Sequence, residues 1–190
     1  MQRTLSHKSR YFGMAGHYAV MSEFLLRGYN VTIPSIDVGD DVVVIDDKHG
    51  TFWRVQVKTG EPRRATSDAG QKRVHYNLSR KQLTEAKSSE LWFIFVVRWK
   101  KRWRFICVSR DELNATRNRY VVIRRKGEVG AKPKPDSKAK TDVLALDIIW
   151  TAKNATGWKT SFKKHMDVWP SAFPDLRAVS STVSGRTRDA

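Results

Sequence analysis

The stretch Gly39–Gly60, GDDVVVIDDKHGTFWRVQVKTG, decides the predicted fold. Its segment Val42–Ile45 is a continuous apolar run, which is typical of a strand buried on both faces. The polar residues Asp46–Gly50 predict a turn, and Phe52–Lys58 predicts a second strand that pairs back on the first. The stretch therefore indicates a hairpin within the core of an α/β domain, with an acidic pair before its first strand.

The second strand of this hairpin has two polar side chains on one face. Because side chains alternate along a strand, Val55 and Val57 point one way while Gln56 and Lys58 share the other face. Lys58 lies about 7 Å beyond Gln56 along the strand. Asp41, at the start of the first strand, is expected to lie beside this polar pair, because the turn between the two strands is short.

These three residue types suit phosphodiester chemistry. A phosphodiester repels nucleophiles through its anionic oxygens. Enzymes neutralise this charge with divalent metal ions and nearby cationic side chains. Mg²⁺ prefers carboxylate and amide oxygens, so Asp41 and Gln56 are the candidate metal ligands. Lys58 could orient the attacking water or stabilise the charge of the transition state. The spacing alone is a weak pattern, and the two flanking strands are what strengthen it.

Charge is the feature of the composition that bears most on function. The 190-residue chain has 36 Lys and Arg against 19 Asp and Glu, a formal net charge of +17. Such an excess attracts polyanions by releasing their counterions, whereas solubility alone does not need it. We therefore expect a nucleic-acid partner. The clusters Arg80-Lys81 and Lys100-Lys101-Arg102 are candidate phosphate contacts, although each taken singly also fits a solvated surface.

Cysteine content and hydropathy bear on the cellular location. The single cysteine, Cys107, lies in an apolar run, which predicts a buried and inert thiol in a reducing compartment. The longest apolar candidate, Leu91–Val97, is far shorter than the roughly 20 residues of a membrane-spanning helix. The charged N-terminus is not followed by the apolar region of a signal peptide. We expect a cytoplasmic protein without membrane contact, for which the nucleoid is one possible place.

The rest of the chain predicts a mixture of helices and strands around the hairpin. The predicted helices are Tyr11–Arg27, a segment capped by Ser79 that reaches about Lys87, a short segment after Ser109 or Asp111, and Trp158–Val168. The predicted further strands are Tyr29–Ile33, Val74–Leu78, Leu91–Trp99, Trp103–Val108, Tyr120–Ile123 and Val143–Trp150. The sum is an α/β fold in which the first helix packs on a mixed central sheet.

One domain is expected. We predict a basic flexible arm at residues 1–10, a single domain at 11–178, a basic flexible loop at about 124–140, and a disordered tail at 179–190.

Residues 13–60 resemble the PD-(D/E)XK nuclease superfamily. The segments that carry the resemblance are GMAGHYAVMSEFLLRGYN, VTIPSIDVGDDVVVID and RVQVKTG, and together they cover about a quarter of the chain. They are most similar to the branch that includes a group I intron homing endonuclease and archaeal Holliday junction resolvases. The resemblance implies a restriction-endonuclease-like core. It also implies Asp41 as the motif aspartate and Gln56 with Lys58 as the motif pair, in the Gln variant known in the homing branch.

The sequence departs from the family in the first helix. The family's helical glutamate falls on His17, which shares an i, i+3, i+7 stripe with Val20 and Phe24 and should therefore face the sheet. Histidine in place of glutamate removes one negative charge from the site and suits Mn²⁺, Zn²⁺ or Co²⁺ better than Mg²⁺. His17 could instead be a general base or a hydrogen-bonded core residue.

The leading interpretation is a metal-dependent DNA endonuclease with the site His17, Asp41, Gln56 and Lys58. The resemblance implies Mg²⁺ or Mn²⁺ as cofactor, duplex or branched DNA as substrate, and a homodimer or higher oligomer that cuts both strands. The alternative is a weakened or inactive relative that binds DNA or structured nucleic acid without cutting. A structural or ribosome-associated basic protein would explain the charge but not the Asp-Gln-Lys pattern.

Overall fold

The computed structural model describes residues 7–36, 39–65, 70–85, 90–127 and 142–177. The helices are α1 (His7–Leu26), α2 (Arg80–Thr84) and α3 (Arg110–Gly127), with one 3₁₀ turn at Lys163–His165. The strands are β1 (Asn30–Thr32), β2 (Val42–Asp46), β3 (Thr51–Gly60), β4 (Arg63–Arg64), β5 (Lys72–Ser79), β6 (Leu91–Trp99), β7 (Arg102–Ser109), β8 (Val143–Trp150), β9 (Ala155–Gly157) and β10 (Thr160–Ser161).

The strands form two five-stranded sheets. Sheet A has the order β1-β2-β3-β6-β7 and is mixed, because β3 and β6 run parallel while its other neighbours are antiparallel. Sheet B has the order β10-β9-β8-β5-β4 and is wholly antiparallel. The predicted α/β fold, with its first helix on a mixed sheet, is confirmed.

Strand β6 forms the centre of the core. Its first seven residues are all buried, and their side chains alternate between two clusters. Phe93 and Phe95 pack with side chains of sheet B, whereas Ile94 and Val96 pack with Val20 and other residues of the α1 side. A strand covered on both faces accounts for the unbroken apolar run.

Aromatic rings fill the α1 side of the core. Phe173, which is 1% exposed, lies with its ring centroid 5.0 Å from Phe24, 5.3 Å from Trp53 and 5.0 Å from Trp92. All three pairs meet edge to face, the geometry that aromatic quadrupoles favour. Phe173 therefore connects the last segment of the chain to α1 and sheet A.

We expect Phe173→Ala to lower the free energy of unfolding by about 3–5 kcal/mol, because it leaves a cavity among rings that cannot collapse into it. Denaturant titration would measure the loss. Phe52→Ala is the matched control, since Phe52 is 56% exposed, and should cost far less. Equal costs for the two variants would contradict the central role of Phe173.

The register of the hairpin leaves one edge of β3 open. In the antiparallel β2–β3 pair, Val42 lies opposite Val55, so β2 begins where β3 has five residues still to run. On its other side, β3 continues beside β6 as far as Gly60. Helix α1 crosses near this open edge, and the absence of a side chain at Gly16 lets it approach Thr59 closely.

Two predicted elements are wrong. The predicted strand Tyr120–Ile123 lies within α3, an 18-residue helix where a short one was expected. Its N-terminus is capped by Ser109, whose hydroxyl accepts from the Glu112 amide at 3.3 Å. β-Branched residues lower helix propensity by only a few tenths of a kcal/mol, so a capped and packed helix can run through them.

The predicted helix Trp158–Val168 is replaced by a turn, the short strand β10 and a 3₁₀ turn. Trp158 and Lys159 have φ of 46° and 57°, left-handed values that no right-handed helix contains. The indole of Trp158 donates to the Ala145 carbonyl at 3.1 Å, which anchors this turn on sheet B.

The structure describes only part of the segments that were predicted as the flexible arm, the basic loop and the disordered tail. Helix α1 already begins at His7, so residues 7–10, expected in the flexible arm, form its first turn. Residues 124–127, expected at the start of the basic loop, belong to α3. The rest of the predicted arm, loop and tail lies outside the described residues. Helix α2 ends at Thr84 rather than near Lys87.

Cys107 is buried on the α1 side of the core, and burial raises the pKa of its thiol, as an inert side chain requires.

Among the described helices, none combines the length and the hydropathy needed to span a bilayer.

Candidate active site at the open edge of strand β3

Asp41 stands where β2 leaves β3 uncovered. Its backbone N–H donates to the Val55 carbonyl at 3.0 Å, as if it were an added first residue of β2. Its side chain then turns back, and Oδ2 accepts from the Val57 N–H at 2.8 Å and from Nε2 of Gln56. The carboxylate thus replaces the missing strand at this point of the edge.

His17 approaches the same carboxylate from α1. Its Nε2 lies 3.8 Å from Asp41 Oδ2, and both side chains are about one-fifth exposed, at 21% and 20%. The helix stripe that buries Val20 and Phe24 directs His17 toward the sheet, as its spacing predicted. Lys58 lies close enough to act electrostatically on both His17 and Asp41. His17, Asp41 and Gln56 therefore meet around one carboxylate, and Lys58 lies near enough to this carboxylate to act on its ionisation.

Burial dominates the ionisation of this pair. It raises the pKa of Asp41, against the opposing effects of His17, Lys58 and the two hydrogen bonds to the carboxylate. It lowers the pKa of His17 below the ordinary value of 6.5, although Asp41 acts in the opposite direction. His17 is therefore a neutral imidazole at pH 7, which can accept a proton or donate a lone pair to a metal ion.

Two other carboxylates near the hairpin, Asp40 and Asp46, have structural roles. Asp40 is 8% exposed and accepts two hydrogen bonds of 2.5 Å from the guanidinium of Arg54. Asp46 accepts from the backbone N–H groups of Lys48 and His49, each at 3.1 Å, and so closes the turn before β3. Asp37 lies outside the described residues.

Gln82 is a site residue that the sequence did not single out. Its Nε2 donates to Oε1 of Gln56 at 2.6 Å and to the backbone carbonyl of Gly39. Gln82 lies in the first turn of α2. This turn is fixed by the N-cap Ser79, whose hydroxyl accepts a hydrogen bond from the Gln82 N–H at 3.3 Å. The cap at Ser79 was predictable from the sequence. The contacts of Gln82 with Gln56 and Gly39 were not, because these residues lie 26 and 43 positions earlier in the chain and no local pattern indicates such contacts.

The two predicted basic clusters lie at different distances from the site. Arg80 and Lys81 begin α2, the helix that carries Gln82. Lys100 and Lys101 form the tip of the β6–β7 hairpin, with φ of 46° and 67°, and Arg102 follows at the start of β7. Because Phe95 pairs with Lys58, this tip lies about 16 Å further along the sheet.

The donor set can be tested against a divalent cation. Among the described residues, no three carboxylate, imidazole or thiol groups lie together. With 3.8 Å between His17 Nε2 and Asp41 Oδ2, the neutral imidazole and the Asp41 carboxylate lie close enough to share one ion. The amide oxygen of Gln56 already accepts from Gln82. The residues therefore fit an imidazole-tolerant ion such as Mn²⁺ better than an all-oxygen Mg²⁺ cage.

No protein-family model matches the chain, and no curated protein matches it. Among solved structures, it resembles a bacterial homing endonuclease, I-Ssp6803I, with a TM-score of 0.38 and 21% sequence identity. The matched region covers 54% of this chain and 65% of the other, just under two thirds of its length. A likeness this distant decides neither the family nor the activity.

Proposed function

We propose that this chain is a metal-dependent DNA endonuclease of the PD-(D/E)XK type, acting at His17, Asp41, Gln56 and Lys58. The observation that supports the proposal is the convergence of these side chains from α1, the start of β2 and β3 on one half-buried carboxylate. Core packing does not require an imidazole, a carboxylate, an amide and an ammonium at one place, and their burial opposes both charges of the Asp41–His17 pair.

Each side chain has a distinct task in this proposal. Asp41 and His17 would hold the divalent cation, which supplies an activated water and neutralises phosphate charge. Lys58 stabilises the negative charge that develops on the phosphoryl oxygens, in a site where partial burial strengthens the interaction. Gln56 holds the Asp41 carboxylate by its hydrogen bond.

DNA is the proposed substrate because of charge. The net charge of +17 favours a polyanion, and Arg80 and Lys81 lie on the short helix whose Gln82 contacts Gln56. Cutting both strands of a duplex would need two such sites, so a homodimer or higher oligomer is part of the proposal.

A plasmid nicking assay with Mg²⁺, Mn²⁺ and Co²⁺ tests this function. We expect nicking with Mn²⁺ or Co²⁺ and weaker nicking with Mg²⁺, because the imidazole of His17 suits the former ions. We expect His17→Glu to gain activity with Mg²⁺, since it adds a second carboxylate. Lys58→Ala, purified in the same way, controls for contaminating nucleases. The proposal fails if no ion supports cutting of duplex, branched or single-stranded DNA.

One observation favours a second function, DNA binding without cutting. Asp41 is the only carboxylate in contact with Gln56 and His17 among the described residues, so cation affinity is expected to be low. Salt-sensitive DNA binding together with no metal-dependent nicking would support this alternative.

A further inference from the structure

The orientation of the Gln56 amide follows from a backbone carbonyl. The oxygen of Gly39 can only accept hydrogen bonds, so Gln82 must turn its nitrogen, and not its oxygen, toward it. Gly39 has a φ of 93°, and a Cβ at this position would collide with the Gln82 amide nitrogen. A glycine here therefore permits the close approach that fixes Gln82.

The same Gln82 nitrogen lies 2.6 Å from the side-chain amide of Gln56. A donor at this distance needs an acceptor, so Gln56 must present its oxygen to Gln82 and its nitrogen to Asp41. Turning Gln56 alone would bring two NH₂ groups together on one side and two oxygens together on the other. Each contact would leave polar groups unpaired in a region where Gln56 is only 4% exposed.

We propose that Gln82 is a positioning residue, which holds the Gln56 amide with its nitrogen toward Asp41 and makes Gln56 a hydrogen-bond donor to the carboxylate rather than a cation ligand. The significance of this relay, Gly39–Gln82–Gln56–Asp41, for cleavage rests on the proposed nuclease function. The orientation itself does not. It changes the role that sequence alone suggested for Gln56, whose amide oxygen was expected to bind the metal.

The relay also determines which part of Asp41 can bind a cation. Oδ2 already accepts from Gln56 and from the Val57 N–H. These donors hold the carboxylate in one rotamer, and within the described part of the chain they leave Oδ1 as its less occupied oxygen. In this arrangement Gln56 acts on the site by orienting Asp41, as supporting groups do for metal-binding carboxylates.

Side-chain amide hydrogen exchange in the metal-free protein tests the relay. With the Gln56 NH₂ bonded to a carboxylate, we expect its exchange to be at least about tenfold slower than in an unstructured peptide. Gln82→Lys keeps a donor at position 82 and should preserve the protection. Gln82→Glu is closer in shape but supplies only acceptors, so the Gln56 NH₂ should turn toward position 82 and away from the Val57 N–H, which shares the Asp41 oxygen with it in the unaltered protein. The nuclear Overhauser effect between these two groups should then be lost. Gln71→Met, outside the site, is the control.

The outcomes separate a positioning role from a space-filling one. If Gln82 only filled space, Gln82→Glu would leave the Gln56 NH₂ beside the Val57 N–H with this Overhauser effect unchanged, and this result would overturn the relay. So would unprotected Gln56 protons in the unaltered protein. Thermal unfolding of each variant identifies any that has lost the fold. Gln82→Met then serves as a neutral replacement, which leaves the amide to Asp41 alone and should weaken the protection without removing it.

A crystal structure with Mn²⁺ gives a second readout. The relay is overturned if Gln56 Oε1 lies within bonding distance of the ion, about 2.2 Å. It is supported if the ion binds Asp41 while Oε1 still accepts from Gln82. If Mn²⁺ does not bind at Asp41, the proposed function loses its cation, and the exchange experiment alone judges the relay. The two proposals can therefore fail separately.

Discussion

Lys58→Ala is expected to reduce DNA nicking by about 100- to 1,000-fold, the effect of removing one preorganised group that stabilises transition-state charge. Lys58 belongs to the part of β3 that pairs in parallel with β6, a strand whose first seven residues are all buried, so its backbone is firmly held. The ammonium therefore needs little reorganisation when charge develops beside it. DNA affinity should fall much less, because one cation among 36 Lys and Arg is lost.

Single-turnover nicking measured beside DNA binding at several salt concentrations would separate these two effects. Lys153→Ala is the matched control, since it removes the same charge from an exposed turn between β8 and β9. Lys58→Arg retains the charge and should recover part of the activity. If Lys58→Ala and Lys153→Ala nick DNA equally well, Lys58 has no catalytic role and the proposed site is wrong.

Asp41→Asn is expected to abolish nicking, by about 100-fold or more, and at the same time to stabilise the fold at neutral pH. An asparagine oxygen can keep the bonds from Gln56 and from the Val57 N–H, which both reach a single carboxylate oxygen. The substitution removes the buried charge, which opposes folding. Stability and activity should therefore change in opposite directions, as is common where a site holds a charge against its burial.

The pH dependence of this stabilisation follows from the raised pKa of Asp41. The folded state takes up a proton at a higher pH than the unfolded state, whose pKa is near 3.8. The unaltered protein therefore loses stability as pH rises from about 3.8 through the folded pKa. Asparagine avoids this loss, so the difference between the two proteins should vanish below that interval and be largest above it.

Denaturant titration of both proteins between pH 3 and pH 8 would measure the difference. His17 is neutral in both proteins at about pH 7.5, because burial lowers its pKa, so the comparison there isolates Asp41. Asp47→Asn, in the exposed turn before β3, is the control, since it removes a carboxylate at the surface. An Asp41→Asn variant that is less stable at pH 7.5 would contradict the expectation that the buried charge of Asp41 opposes folding.

Local patterns predicted the parts of this protein that depend on local geometry. The sequence predicted the β2–β3 hairpin, the β6–β7 hairpin and the cap at Ser79, because strand alternation and capping involve residues close in sequence. Alternation also placed Val55 and Val57 in the core on the side of α1, and left Gln56 and Lys58 to the other face. The direction of His17 followed in the same way from helical spacing.

Long-range contacts decided the remainder. β-Branched residues near Val121 favour a strand by propensity, yet they continue α3, and Trp158 turns away from the predicted helix to bond with sheet B. The short β2, which exposes the β3 edge to Asp41, follows from register rather than composition. The arrival of Gln82 at Gln56 depends on how α2 packs. Amino-acid type and spacing therefore determined which groups could meet. Burial and pairing between distant segments determined the orientation and charge of these groups, because desolvation and hydrogen-bond direction exist only once the chain is folded.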